Sequence, residues 1–245
     1  MRVTFRQAPV RTQEEVAPGV FLLTVEGDFA AKPGQFFLLR AWAMHPLLGR
    51  PMSVCDLSPG SVSFLYAVRG EGTSLLSRLR PGDRLSLLGP AGNGWDRVAG
   101  KVALVGGGMG LAPLLFTAKA FGPPLDVFLG FRDWPFLVDA FPAYGAIQVT
   151  TERTRGFPGA ALGRVTDVFR PRGYAAVYAC GPRAMLEALH LLCKDARVPL
   201  FVSLEERLAC GIGACLGCTV FTSQGPVRLC REGPTFPAEE VFDGS

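Results

Sequence analysis

The feature that most limits what this chain can fold into is a change of rhythm near residue 98. Before it, short runs rich in β-branched and aromatic residues (Val20 to Val25, Gln35 to Leu39, Ser61 to Val68, Arg84 to Leu88) are separated by the turn-forming stretches KPGQ, LSPGS and RPGD. Runs of this length between Pro/Gly turns predict antiparallel strands in a barrel or a sandwich. After it, apolar runs at Val102 to Val105, Leu125 to Gly130, Ala146 to Thr150 and Ala175 to Cys180 alternate with helix-like stretches at Leu111 to Phe121, Phe136 to Phe141 and from Pro182 onward. In the last of these, Met185, Leu186, Leu189, Leu192 and Cys193 fall on one helical face, and Pro182 suits a first turn. Strands alternating with helices predict a parallel sheet. From about residue 201 a third pattern begins, a Gly/Cys-rich loop followed by two strand candidates, Thr219 to Thr222 and Pro226 to Leu229. The expected organisation is therefore multidomain, β plus α/β: an antiparallel β-barrel over 1–98, a parallel-sheet domain over 99–200 and a small C-terminal domain over 201–245.

Composition narrows the function classes. Hydrophobic residues make up 49% and charged residues 19%, which excludes intrinsic disorder. The net charge of +4 comes without any run of Lys or Arg that tracks a phosphate backbone, so a nucleic-acid role finds little support. The most apolar stretch, Val102 to Ala118, is shorter than the roughly 20 residues a membrane helix needs and is broken by Gly106, Gly107, Gly108, Gly110 and Pro113. The N-terminus has no apolar segment of signal-peptide type, and a cytoplasmic location is expected.

Seven cysteines, an odd number, point to metal or redox chemistry rather than a disulfide framework. Four of them, Cys210, Cys215, Cys218 and Cys230, read CxxxxCxxC with a distant fourth member, the plant-type spacing for a 2Fe-2S cluster. Two irons bridged by two sulfides need four converging thiolates, and a loop delivers three only by wrapping tightly, which Gly211, Gly213 and Gly217 permit. A four-cysteine zinc site is the alternative, but it would ordinarily show two CxxC knuckles where this chain has one. Cys55, Cys180 and Cys193 lie in apolar segments and read as core.

Two further motifs suit nucleotide cofactors. In the β-rich part, Arg50, Pro51, Met52 and Ser53 stand at a strand entry, where an arginine can clamp a pyrophosphate and Ser53 can meet a flavin ring nitrogen. Gly70, Gly72 and Thr73 offer backbone amides and a hydroxyl to phosphate, although the same pattern also reads as a plain turn before a helix. In the α/β part, ALVGGGMGLAPL sets a strand, the glycines Gly106, Gly107, Gly108 and Gly110, and a helix in succession, which suits a dinucleotide or, alternatively, a tight strand-to-helix turn. Cys180, Gly181 and Pro182 close a later strand, at the sheet edge where such folds bind ligands.

Barrel RPMS and GEGT, then GGGMGLAP, then CGP before a helix, resemble the ferredoxin-NAD(P) reductase superfamily, in order, along nearly the whole chain. The tail SLEERLACGIGACLGC, closed by LCREGPTF, resembles the electron-transfer subunits of class B dihydroorotate dehydrogenases. That resemblance implies FAD in the barrel, a 2Fe-2S cluster in the C-terminal domain, NAD on the sheet, and an FMN-containing catalytic subunit as partner in a heterotetramer of two plus two. It implies that Arg50 and Ser53 hold FAD with Pro51 and Met52 beside it, that Tyr66 and Ala67 line its ribose or adenine side, and that Gly72 and Thr73 bind its phosphates. The four cysteines named above would hold the cluster. Glu152 is expected to accept from the adenosine ribose and favour NAD, whereas Arg153 or Arg155 would favour NADP. No catalytic proton-transfer residue is expected, because His45 reads as a loop residue and His190 as a surface or packing residue. The competing functions are the small subunit of a transhydrogenase or cytoplasmic hydrogenase, and a zinc-stabilised binding module.

Overall fold

The computed structural model describes residues 3–155 and 157–243. Strands β1 (Thr4–Ala17), β2 (Val20–Glu26), β3 (Phe36–Arg40), β4 (Arg50–Ser58) and β5 (Ser61–Ala67) precede a short helix α1 (Glu71–Leu76) and strand β6 (Arg84–Ala91). They pair antiparallel in the order β1-β2-β5-β4-β3-β6, and β6 returns to β1 from Thr4 opposite Gly89 to Pro9 opposite Arg84. The β-rich part is thus a closed barrel and not a sandwich; closure removes the free edges that a flat sheet would expose. Leu23, Val25, Leu39, Val54, Val62, Phe64 and Leu85 are fully buried, and Phe37 meets Phe29 and Phe64 edge-on.

The second layer runs β7 (Val102–Gly107), α2 (Leu111–Phe121), β8 (Leu125–Phe131), β9 (Ile147–Thr151), β10 (Ala160–Leu162), α3 (Val165–Val168), β11 (Ala176–Cys180), α4 (Arg183–Ala196) and β12 (Leu200–Ser203). The chain then forms a hairpin of β13 (Thr219–Thr222) and β14 (Gly225–Arg228), and ends in β15 (Thr235–Pro237) and α5 (Ala238–Phe242). The sheet order is β10-β9-β8-β7-β11-β12-β15, parallel throughout except for β15.

Both ends of the cysteine segment are anchored in this sheet. The expected boundary at 200/201 falls inside β12, and β15 pairs with β12 through Val202 and Phe236, while α5 packs on α4. Patterning alone merges β12 with the loop because its four residues carry no turn signal of their own. The stretch 136–141 forms only a 3₁₀ turn, Val138–Ala140. His190 is buried, with Nε2 at 2.8 Å from an Asp243 carboxylate oxygen, and is therefore a packing residue of the α4–α5 contact.

Helix α2 explains the most apolar stretch of the chain. All residues from Leu111 to Ala118 are buried because α2 lies between two structures: Leu111, Leu114 and Leu115 pack with sheet residues and with the barrel's Cys55 and Leu65, while Phe116 enters the barrel core. At its margin Lys119 Nζ lies 2.8 Å from Asp56 on β4. Among the described residues no helix is long and apolar enough to cross a membrane.

Candidate functional site

The sheet reverses its winding direction between β7 and β11, whose carboxyl ends lie side by side with Gly106 opposite Cys180. Such a switch point leaves a crevice beyond the strand ends, and here it opens toward the barrel as a cleft of about 950 Å³. The barrel wall carries Pro51, Met52 and Ser53 from β4, Tyr66 and Ala67 from β5, and Thr73 from α1. Facing them are Gly107, Gly108 and Gly110 on one side, Cys180, Gly181 and Pro182 on the other, and Glu152 at the far end. Residues that patterning picked from segments far apart in sequence therefore share one cavity.

Four expected residues stand outside the wall. Arg50 donates from Nη1 to the Leu48 carbonyl at 2.6 Å, lies over the Trp42 ring at 5.4 Å, and presses against Gly72, where any Cβ would overlap the guanidinium. Gly72 thus seats Arg50 beside α1. Gly70 has open space around it, and the Thr73 hydroxyl accepts from the Arg69 and Gly70 amides at 2.8 and 3.1 Å, tying the turn together. Gly106 faces away from the cleft: a Cβ there would meet Leu114 and Leu129 at 3.0 and 3.1 Å, so it is a packing position between β7 and α2.

Gly110 is required by close approach, since a Cβ would run into the Cys180 carbonyl. This contact brings the start of α2 onto the end of β11. The Cys180 thiol is buried, which pushes its pKa up, and the Glu205 charge adds to the rise against a hydrogen bond with Ser203. Glu205 stands at the cleft wall with its side chain open to solvent on one side, yet the surrounding protein raises its carboxyl above the usual range. Sequence reading missed Glu205 because it follows the unrecognised β12. It likewise missed Arg132 and Arg164, which line the far end of the cleft with Arg153.

The cysteine loop sits against the barrel. Gly211, at φ +68°, lies on Leu38 of β3 where no side chain fits, and the Gly92 amide donates to the Cys230 carbonyl at 3.1 Å. Cys218, Leu229 and Cys230 are buried with Phe36 and Ala91, whereas Cys215 is exposed. The thiols stand in two pairs, Cys210 with Cys215 and Cys218 with Cys230. The Gly213 amide donates to Cys230 Sγ at 3.1 Å and the Cys215 amide to Cys210 Sγ at 3.5 Å. Burial opposes ionisation of Cys210, but amides of Ile212, Cys215 and Ala214 and the Cys215 side chain outweigh it and bring its pKa to about 6. Burial and the neighbouring Cys218 push Cys230 up to about 12. Arg228 donates to the Gly213 carbonyl at 3.1 Å and is held by Glu232 at 2.5 Å, so the glutamate of REGPTF braces the loop.

An all-thiolate set cradled by amide donors fits an iron–sulfur core. Two thiol pairs suit a two-iron core with two ligands per iron.

Comparison with known proteins agrees with this geometry. Residues 205–242 match the iron-sulfur cluster binding domain of dihydroorotate dehydrogenase B. A dihydroorotate dehydrogenase B (NAD(+)) electron transfer subunit from Clostridium acetobutylicum is 42% identical, with 93% of each chain covered. The chain belongs to this family of electron transfer subunits. A member from Caldanaerobacter subterraneus subsp. tengcongensis is 41% identical over 96% of this chain and 98% of its own. Beyond the family, a chain from the structure of an NADH-dependent reduced ferredoxin-NADP oxidoreductase, studied for flavin-based electron bifurcation, superposes with a TM-score of 0.86 at 31% identity, covering 96% of this chain and 89% of that one.

Proposed function

We propose that this chain is the electron-transfer subunit of a class B dihydroorotate dehydrogenase, passing electrons from an FMN-containing catalytic subunit to NAD+ in pyrimidine synthesis, in a complex of two plus two subunits. The observation that carries this reading is the position of Phe36. It lies opposite Ser53 in the barrel, lines the cleft, and packs against Cys218 and Cys230. One side chain thus separates the proposed flavin wall from the thiol set.

When bound, FAD exchanges a hydride with nicotinamide and single electrons with a 2Fe-2S core. The chain's own residues position these groups. Ser53 and Met52 face the flavin ring, Tyr66 and Ala67 its adenosine side, and Arg50 with the 70–73 turn its phosphates. The 107–110 turn and Cys180 to Pro182 receive the nicotinamide nucleotide, and Glu152 its ribose, while Gly106 packs β7 against α2. Cys210, Cys215, Cys218 and Cys230 hold the cluster. The three-part division into barrel, sheet and cysteine segment follows these roles. His45 is exposed and sits 3.3 Å from Glu71, and neither it nor His190 is assigned a proton-transfer role. Exposed Cys215, flanked by exposed Ile212 and Leu216, supports this face as the one that meets the partner. Cluster ligands need reduced thiols, which supports a cytoplasmic location.

Iron, sulfide and flavin quantified on anaerobically purified protein test the reading, with about two irons per FAD expected. The isolated chain should reduce artificial acceptors with NADH and gain dihydroorotate oxidation only with the catalytic subunit. A colourless zinc protein, or dihydroorotate oxidation by the chain alone, would overturn it. A second reading, the small subunit of a transhydrogenase-type complex, is favoured by the likeness to the NADH-dependent ferredoxin-NADP oxidoreductase chain; the partner that co-purifies separates the two.

A further inference from the structure

The peptide bond that joins Gly213 to Ala214 lies between an arginine and a sulfur. Arg228 Nη1 donates to its carbonyl at 3.1 Å, and its N–H, the Ala214 amide, donates to Cys210 Sγ. The carbonyl and the N–H of a trans peptide point in opposite directions, so a donor that fixes the carbonyl also aims the N–H at the sulfur and polarises it. The preceding peptide serves the other thiol pair, since the Gly213 amide donates to Cys230 Sγ at 3.1 Å. Gly213 turns the chain between the two at φ +79°, a conformation open to glycine.

Arg228 is itself held in place. Its Nε and Nη2 donate to the Glu232 carboxylate at 3.1 and 2.5 Å, and its backbone amide donates to the same carboxylate at 2.8 Å. Its side chain is 30% exposed, whereas Arg231, the other cation against Gly213, is 66% exposed and lies 3.9 Å from Glu232. Glu232 first, and after it the charges of Cys230 and Cys218, outweigh desolvation and favour the cationic form of Arg228. A fixed guanidinium thus stands in the field of one thiol pair and behind the amide that serves the other.

One-electron reduction of a core held by four thiolates adds one negative charge to it and neither makes nor breaks a bond. Positive charge and N–H donors at the sulfurs therefore stabilise the reduced form more than the oxidised one. We propose that Arg228 is a positioning residue that raises the reduction potential of the cluster, acting through the Gly213–Ala214 peptide on Cys210 and by its charge on Cys218 and Cys230. This rests on the reading of the four cysteines as 2Fe-2S ligands.

The test is a dithionite titration of the FAD-loaded protein, followed by the EPR signal of the reduced cluster, with iron and sulfide counted for each variant. Arg228→Gln should keep about two irons per FAD and lower the equilibrium constant for cluster reduction about tenfold, which is about 59 mV for a one-electron couple. Arg228→Lys keeps the charge but lacks the fork that reaches both Gly213 and Glu232, and should lower the constant about threefold. Arg231→Gln removes a solvent-screened charge and should change it less than about twofold. An unchanged potential in Arg228→Gln, or an equal fall in Arg231→Gln, would overturn the assignment. Should Arg228→Gln lose its iron, Arg228→Lys decides: a fall of about threefold supports the tuning role, an unchanged potential refutes it, and loss of iron from both variants assigns Arg228 to cluster assembly instead. If the wild-type chain holds no 2Fe-2S cluster, the ligand reading falls and takes this inference with it.

Discussion

In the cysteine loop all four sulfurs come from one stretch, residues 210 to 230, whereas the walls of the neighbouring cleft are drawn from positions between Phe36 and Pro234. The loop is short-range: amides two to five residues away from Cys210 set its thiol near pKa 6. The cleft exists only after the barrel has closed, the sheet has formed and α2 has been buried between them. Its own cysteine, Cys180, is shifted the other way by burial, as are Cys55 and Cys193, the latter two up to about 12. The same side chain is poised to ionise where amides reach it and is a small apolar filler where only the core does. Damage to the loop should therefore stay local, while damage to the cleft should spread through the fold.

The largest effect expected is on metal content. Cys215→Ser should take iron from about two per FAD toward zero and leave the flavin spectrum intact, while Cys193→Ala should leave iron unchanged. Loss of flavin together with iron would erase the proposed independence of the loop. Gly110→Val should do the opposite, because its side chain must displace the Cys180 backbone. A cost above about 3 kcal/mol in unfolding experiments is expected, with iron binding retained by the folded fraction.

Asp126→Ala probes the sheet away from the cleft. Asp126 is buried, which disfavours its charge, yet Lys101 at 2.6 Å, Tyr174 at 2.7 Å and the Ala146 amide at 2.8 Å outweigh burial and hold its carboxyl below the usual range. Its removal should cost about 3 kcal/mol. In the wild type this contribution should be full above the unfolded pKa of about 3.9 and disappear as pH falls through the lower folded value; acid-unfolding curves that coincide for variant and wild type would contradict it. Arg50→Ala should weaken FAD about tenfold, as loss of one charged phosphate contact does, read by flavin release on dilution. The smallest change belongs to the half-exposed Lys119–Asp56 pair between barrel and sheet, where Lys119→Ala should cost about 0.5 kcal/mol. A much larger value would mean that this ion pair, rather than apolar α2, holds the two layers together.

Legibility follows the same division. The four clustered cysteines, the β7–α2 turn and the β11 end could be read because each is a local motif. Strand β12 could not, since its four residues are strand only by lying between β11 and β15, and with it Glu205 was lost from the site. Gly106 looked like part of the nucleotide turn, and only the packing of Leu114 and Leu129 against it shows that it faces inward. Arg132, Arg153 and Arg164 do not stand out in a chain whose positive charge is nearly all arginine; strand register alone makes them neighbours.

Spacing and periodicity, being local properties of the chain, were enough to mark the chemistry of the cysteine segment, the two kinds of layer and the segments that meet at the cleft. The tertiary structure decided that the barrel closes, that residues on both sides of the cysteines return to the sheet edge, and that Phe36 stands between cleft and thiols. Those outcomes depend on pairings between strands far apart in sequence, whose register no local pattern encodes.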